Sequence, residues 1–259
     1  MDRIERTSQK VEELFHQSAA GADGADGEFM QILQRYIFGD LCYTGSLDNR
    51  MREMVTITVL TAIQALPQLK AHLNACLNVG CTPVELREAV YQCAPFIGFP
   101  RTLNAIGVLN EVLTARGVSL PLPRQGTVAD GERYEEGRAI QAPVYGDEIK
   151  DRYAWLPKPF DEAVPRFLTE HCFGDFSTRT GLDQKIRELL TVVLLAALGG
   201  AEVQVKSHAA GALKTGSTKE EVVCALVHAS AYMGIPHLFK ALNACKDLLA
   251  EESGKEEQI

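Results

Sequence analysis

Two histidines occupy matching helical positions. His208 has Val205 three residues before it and Ala212 four after, and His72 has Leu69 and Cys76 at the same steps. Both rings therefore fall on an apolar helix stripe. Imidazole titrates near neutral pH, so such a ring is either a hydrogen-bonded core group or an acid–base group. Two glutamates offer a partner. Glu53 and Glu188 each follow an arginine, Arg52 or Arg187, near the start of an apolar helix. A carboxylate there suits the helix dipole. Facing the histidine across a helix pair, it would fix the ring's tautomer and raise its basicity. A third ring, His228, lies on a semi-buried stripe with Cys224, Ala225, Ala231 and Tyr232.

The elements that must carry these groups are written twice. "FGDLCYTGSLDNRMREMVTITVLTA" (38–62) matches "FGDFSTRTGLDQKIRELLTVVLLAA" (173–197) at an offset of 135, and one extra residue then makes it 136. From there Lys70 pairs with Lys206, His72 with His208, Gly80 with Gly216, Thr82 with Thr218, Glu85 with Glu221 and Pro100 with Pro236. The counterpart of His228 is Gln92, which hydrogen-bonds but cannot shuttle a proton. Apolar spacings of three and four predict helices throughout. "TPVE" and "TKEE" are capping boxes, Asp48 and Asp183 are N-cap candidates, and "GFP" and "GIP" break a helix before the last one of each unit. The expected organisation is a first unit over 1–117, a linker over 118–131 rich in Pro, Gly and charge, and a second unit over 132–259 with a solvated tail, "EESGKEEQI".

Composition bounds the function. Of 259 residues 46% are hydrophobic, enough for a sizeable core, and the net charge is −8. That balance argues against nucleic acid or an anionic membrane as partner. The longest apolar run, 189–201, is too short to span a bilayer. The start, "MDRIERTSQK", has no apolar signal region, so a cytoplasmic protein is expected. Seven cysteines without a C-x-x-C read as reduced, buried thiols, and no Cys or His pair has zinc-ligand spacing, so no metal is expected.

The stretch 187–242 carries R-x-L-L-T, L-A-A-L-G, H-x-x-x-A, G-x-T-x-E-E and H-x-x-x-Y-x-G-x-P, and "GRAIQAPVYGDE" (137–148) precedes it. These motifs resemble the carboxymuconolactone decarboxylase family, with the second unit most similar to its γ-carboxymuconolactone decarboxylase branch. The resemblance covers nearly all of the second half and, more loosely, most of the first. It implies an all-α fold, a tandem duplication of the alkyl hydroperoxidase D-like helical unit. It also implies self-association around a threefold axis, as a trimer with pseudo-hexameric architecture. The fully apolar helix 189–201 suits a core or an oligomer interface.

The resemblance further implies a cofactor-free decarboxylase or lactone isomerase acting on a small carboxylated lactone. In the family's butenolide substrate the leaving carboxylate sits on the ring carbon next to the ring oxygen, which the C=C links to the lactone carbonyl, so the electron pair passes into a dienolate. The expected catalytic set is Glu188 and His208 as proton relay with His228 as donor or second acid. Glu53 and His72 are secondary candidates, and Arg187, Arg179 or Lys206 would anchor a spectator carboxylate. Two alternatives remain open at this level. One is a peroxidoreductase like alkyl hydroperoxidase D. There the dithiol positions fall on Ala65 and Gln68, and on Ala201 and Gln204, so Cys76 or Cys81 would have to serve. The other is a catalytically silent oligomeric binding protein.

Overall fold

The computed structural model describes residues 1–146 and 149–250; the expected solvated tail lies outside the described residues. Helices α1 (Arg3–Phe15) and α2 (Gly27–Gln34) open the first repeat, and α2 runs on into a wide π-type turn, Arg35–Asp40. Then follow α3 (Asn49–Ile63), α4 (Leu66–Asn78), α5 (Pro83–Tyr91), the single turn α6 (Ala94–Ile97) and α7 (Phe99–Ala115). The second repeat has α8 (Arg133–Tyr145), α9 (Ile149–Arg152) and α10 (Phe160–Phe167), the last continuing into a π-type segment, Leu168–Ser177. It closes with α11 (Gln184–Leu198), α12 (Glu202–Lys214), α13 (Lys219–Met233), α14 (Ile235–Ala244) and α15 (Lys246–Leu249). Among the described residues there is no strand, and no helix is long and apolar enough to cross a membrane.

The predicted helix starts are realised. Asp48 and Asp183 accept from the third helical amides of α3 and α11. Thr82 with Glu85, and Thr218 with Glu221, form reciprocal capping boxes. Gly98 and Gly234 take left-handed backbone (φ 81° and 89°) where α6 gives way to α7 and α13 to α14, a conformation that favours glycine.

Helices α3 and α11 are the axis of the molecule. Arg52 to Ala62 and Arg187 to Ala197 are buried without interruption. A helix buried on every side must be surrounded. The two central helices pack on each other, α12, α13 and α14 cover α11, and α4, α5 and α7 cover α3. One apolar core runs through both repeats. The expected surplus of apolar surface on α11 is thus absorbed by the chain's own first half. Apolar side chains do stay exposed at equivalent places: Phe99 and Leu103 on α7, and Ile235 and Phe239 on α14.

Candidate functional site

The segment between α3 and α4, and that between α11 and α12, is a tight turn. It returns each second helix beside the first and brings the histidine over the glutamate. In the first repeat His72 Nδ1 lies 2.7 Å from Glu53 Oε2, and in the second His208 Nδ1 lies 2.8 Å from Glu188 Oε2. Both expected pairs therefore exist as contacts. Their surroundings differ.

The second pair has a third member. The Tyr145 hydroxyl, at the end of α8, hydrogen-bonds Glu188 Oε2 and lies 2.7 Å from His208 Nδ1. Burial, then the charge of Glu188, pushes the Tyr145 pKa far up, so the phenol stays protonated and donates to the carboxylate. Engaged on its Nδ1 side, His208 makes no Nε2 hydrogen bond with the described residues. A cavity of about 300 Å³ opens over this triad. Phe96, Leu168, Phe173 and Phe176 give it apolar wall, and Gln92 and Arg187 give it polar wall. That combination, mostly apolar with a few convergent polar groups, is the usual composition of a small-molecule site.

The first pair is packed solid. Phe15 and Tyr232 stand edge-on to the His72 ring on two sides, at 5.5 and 5.3 Å between centroids. Val11, Leu14, Ile37, Phe38 and Ala75 complete an apolar cluster around it. His72, Glu53 and His228 are all buried.

The structure separates the expected catalytic histidines. His228 does not join His208 and Glu188. It lies on the first repeat's side, with Nε2 3.0 Å from Thr56 Oγ1 on α3. Gln92 correspondingly stands at the second site. The repeats thus exchange this position: α13 packs on α3, while Glu88 of α5 and Gln92 just after it face Arg187 of α11. Sequence spacing alone hides such an exchange, because His208 and His228 are neighbours in one repeat. Burial, with Arg52 and His72 nearby, pushes the His228 pKa down to about 3, so the ring is neutral at neutral pH.

Two of the expected carboxylate anchors are engaged elsewhere. Lys206 pairs with Asp247 at the surface. Arg179 forms a two-pronged pair with Glu88, at 2.8 and 2.9 Å. Arg187 lines the cavity, yet its Nη2 is directed to the Arg179 carbonyl at 2.9 Å and to Glu88 at 3.5 Å.

Burial holds five of the seven thiols protonated, and Cys81 departs from that pattern. Burial raises the pKa of Cys42 to about 12 and pushes Cys93 and Cys76 well up. Cys81 is lowered, first by its hydrogen bond with Cys76. Among the described residues no group of three or more His, Cys, Asp or Glu is placed to hold a metal ion.

The family model described as "Carboxymuconolactone decarboxylase family" matches twice, over residues 27–111 and 162–247. The chain belongs to this family. A 4-carboxymuconolactone decarboxylase of Acinetobacter baylyi is 29% identical over 114 residues, 44% of this chain and 85% of that protein. A nitrosuccinic acid decarboxylase of Metarhizium robertsii is 31% identical over 109 residues, 42% of this chain and 76% of that protein. A crystal structure from Burkholderia xenovorans, provisionally assigned as a gamma-carboxymuconolactone decarboxylase subunit, superposes with a TM-score of 0.55 at 23% identity. It covers 96% of this chain and 98% of that one. This last likeness shows that the two-repeat fold is shared over the full length.

In this carboxymuconolactone decarboxylase family member, the site residues that spacing did not reveal are Tyr145 and Gln92. Tyr145 had one available signal. Arg3–Phe15 and Arg133–Tyr145 are matching helices 130 residues apart, which sets Tyr145 against Phe15. Gln92 was visible only as the counterpart of His228, and nothing local says that it serves the other repeat.

Proposed function

We propose that the chain is a decarboxylase for a small carboxylated lactone of the carboxymuconolactone type, working at the Tyr145–Glu188–His208 site. The observation that carries this reading is the hydrogen-bonded triad on the wall of a 300 Å³ cavity in a member of this family. The names of two relatives, one acting on 4-carboxymuconolactone and one on nitrosuccinic acid, support loss of CO2 from a small acid.

The chemistry follows from the substrate class. The bond from ring carbon to carboxylate breaks, and its electron pair passes through the C=C into the lactone carbonyl. CO2 leaves and a dienolate remains. The substrate is its own electron sink, so the protein's tasks are to desolvate, to stabilise an oxyanion and to return a proton. Phe96, Leu168, Phe173 and Phe176 supply an apolar wall beside which a carboxylate is poorly solvated. Glu188 holds Nδ1–H of His208, which leaves Nε2 to deliver the proton to carbon. The net reaction consumes one proton per turnover, so His208 must be reprotonated from solvent. Tyr145, protonated and touching both partners, keeps the carboxylate and ring in register.

Self-association is part of the proposal. The paired exposed sets Phe99 with Leu103 and Ile235 with Phe239 favour contact with further copies of the chain. The test of function is CO2 release from a panel of carboxylated lactones by the purified protein. Turnover that disappears in His208→Gln is the expected result. No release from any lactone by folded protein would contradict the reading.

A further inference from the structure

Helix α4 ends in a Schellman motif. The Gly80 amide reaches back to the Leu77 carbonyl at 3.2 Å and the Cys81 amide to the Cys76 carbonyl at 2.9 Å, and Gly80 takes left-handed backbone (φ 89°). These two bonds curl the chain until a residue in the last turn of the helix meets the residue just beyond the glycine. Two apolar side chains usually make that contact. Here both residues are cysteines, and Cys76 donates a hydrogen bond to Cys81. The thiol pair is therefore a product of the turn's backbone geometry.

The second repeat makes the same turn without sulfur. The Gly216 amide reaches the Leu213 carbonyl at 3.2 Å and the Ser217 amide the Ala212 carbonyl at 2.8 Å, with Gly216 at φ 105°. Ala212 and Ser217 stand where Cys76 and Cys81 do, so neither thiol is needed to end the helix. Two other buried thiols of the chain have carbonyl partners: Cys93 donates to Ala89 and Cys224 to Thr44. Cys76 instead has sulfur as its partner, while Cys81 also approaches the Arg50 carbonyl at 3.9 Å.

The pair is chemically unequal. Cys76 is fully buried, whereas Cys81 keeps 4% of its surface open between the exposed Gly80 and Thr82. The hydrogen bond from Cys76 draws the Cys81 pKa below its ordinary value against the effect of burial, and the Arg50 guanidinium lowers it further. Burial above all holds Cys76 well above its own. The more acidic and more accessible sulfur meets an oxidant first, and a thiol already in contact with it resolves the product.

We propose that Cys76 and Cys81 form a reversible oxidation site, where a small hydroperoxide converts the pair to a disulfide that clamps the end of α4 to the start of α5. With hydrogen peroxide, the Cys81 thiolate attacks one oxygen. The S–O bond forms as the O–O bond breaks, leaving a sulfenic acid and hydroxide, which takes up the proton that Cys81 released. The Cys76 sulfur then attacks the sulfenic sulfur. The S–S bond forms, the S–O bond breaks, and the departing hydroxide leaves as water with the Cys76 proton. Two thiols lose two electrons, and one peroxide becomes two waters. The clamp lies one turn beyond His72, in the repeat whose histidine pair is packed solid, so oxidation stiffens that repeat. The oxidation is independent of the decarboxylation.

The test treats the folded, full-length protein with a few equivalents of hydrogen peroxide, then denatures it in acid and alkylates it with N-ethylmaleimide. Of the seven thiols, five should take up label. The tryptic peptide 71–87, which holds both cysteines, should be lighter by two hydrogens, and dithiothreitol should restore all seven thiols. The oxidised protein should melt a few degrees above the reduced one. Cys76→Ala and Cys81→Ser copy the second repeat, and their melting temperatures check that they fold. In Cys76→Ala the reaction should stop at a Cys81 sulfenic acid that dimedone captures, and peroxide should leave the melting temperature of Cys81→Ser unchanged. Seven labelled thiols in peroxide-treated wild type would overturn the site. A cross-link from either cysteine to another partner would do so too, as would a Cys81 sulfenic acid that persists with Cys76 in place. A lower melting temperature after oxidation would overturn the clamp.

Discussion

The Glu53–His72 pair and the Glu188–His208 pair have the same hydrogen bond, the same helix hairpin and the same capped starts, and one is filled while the other is hollow. The difference lies in side chains that do not belong to the pair. Where Phe15 closes the first site, Tyr145 lines the second. Where Ala75 packs against the first cluster, Gly211 stands in the second. These two changes belong together. A Cβ on Gly211 would lie 2.5 Å from the Tyr145 hydroxyl and 2.9 Å from Glu188 Oε2, closer than atoms tolerate. The phenol oxygen occupies the space that a methyl group fills in the other repeat. A carboxylate–imidazole pair is thus a fold element that duplication preserves. A site arises where neighbouring residues leave it a third polar partner and an opening.

The sharpest way to break the comparison is to convert one repeat toward the other. Gly211→Ala should displace the Tyr145 hydroxyl and lower kcat by roughly ten- to a hundredfold, less than the roughly 10²–10⁴-fold that a group transferring the proton itself supplies, because Tyr145 positions the relay. Tyr145→Phe should cost a similar amount. The double variant reproduces the Phe15–Ala75 arrangement, so its stability should exceed the sum of the single effects, since the methyl fills what the hydroxyl vacates. Steady-state kinetics and denaturant melts of the four proteins check this. Additive stability losses would show that the two positions are not coupled.

A second contrast concerns His228 against Gln92. The unfolded His228 takes up a proton near its ordinary value of 6.5, while the folded ring resists it to about 3. Its contribution to stability is therefore present above about pH 6.5 and lost as pH falls toward 3, at up to about 1.4 kcal/mol per pH unit. His228→Gln makes the first site resemble the second and should flatten that acid slope. Equilibrium melts from pH 7 to 4 would show the difference between the two proteins. Parallel slopes would mean that the ring is not held neutral.

The smallest effect is expected at the thiols. Cys76 is fully buried beside Cys81 and is held protonated. Cys76→Ser should leave lactone turnover within about twofold, and a larger loss would bring thiol chemistry back into the account.

Much of the architecture was legible in residues. The helix starts at Asp48, Asp183, Thr82 and Thr218 are local hydrogen-bond chemistry, and the repeat placed His72 and His208 in one register. What spacing could not express is which repeat supplies a wall. His228 and His208 lie 20 residues apart in the chain, yet α13 brings His228 to Thr56 of α3 while Gln92, at the end of α5, faces Arg187 of α11, so the two histidines belong to different sites. Lys206 and Arg179 looked free in sequence because their partners, Asp247 and Glu88, are 41 and 91 positions away. The apolar run of α11 pointed to other chains as readily as to the chain's own α3, since periodicity reports that a face is covered and not by what.

The central claim is that the second pair works on substrate and the first pair holds the fold. Its most direct test is a side-by-side measurement of lactone decarboxylation and melting temperature for His208→Gln and His72→Gln. The account predicts that His208→Gln loses at least a hundredfold in kcat/KM with little change in melting temperature. His72→Gln should melt several degrees lower and keep kcat/KM within about threefold at a temperature where it is folded. Equal losses of activity in two folded variants would contradict it.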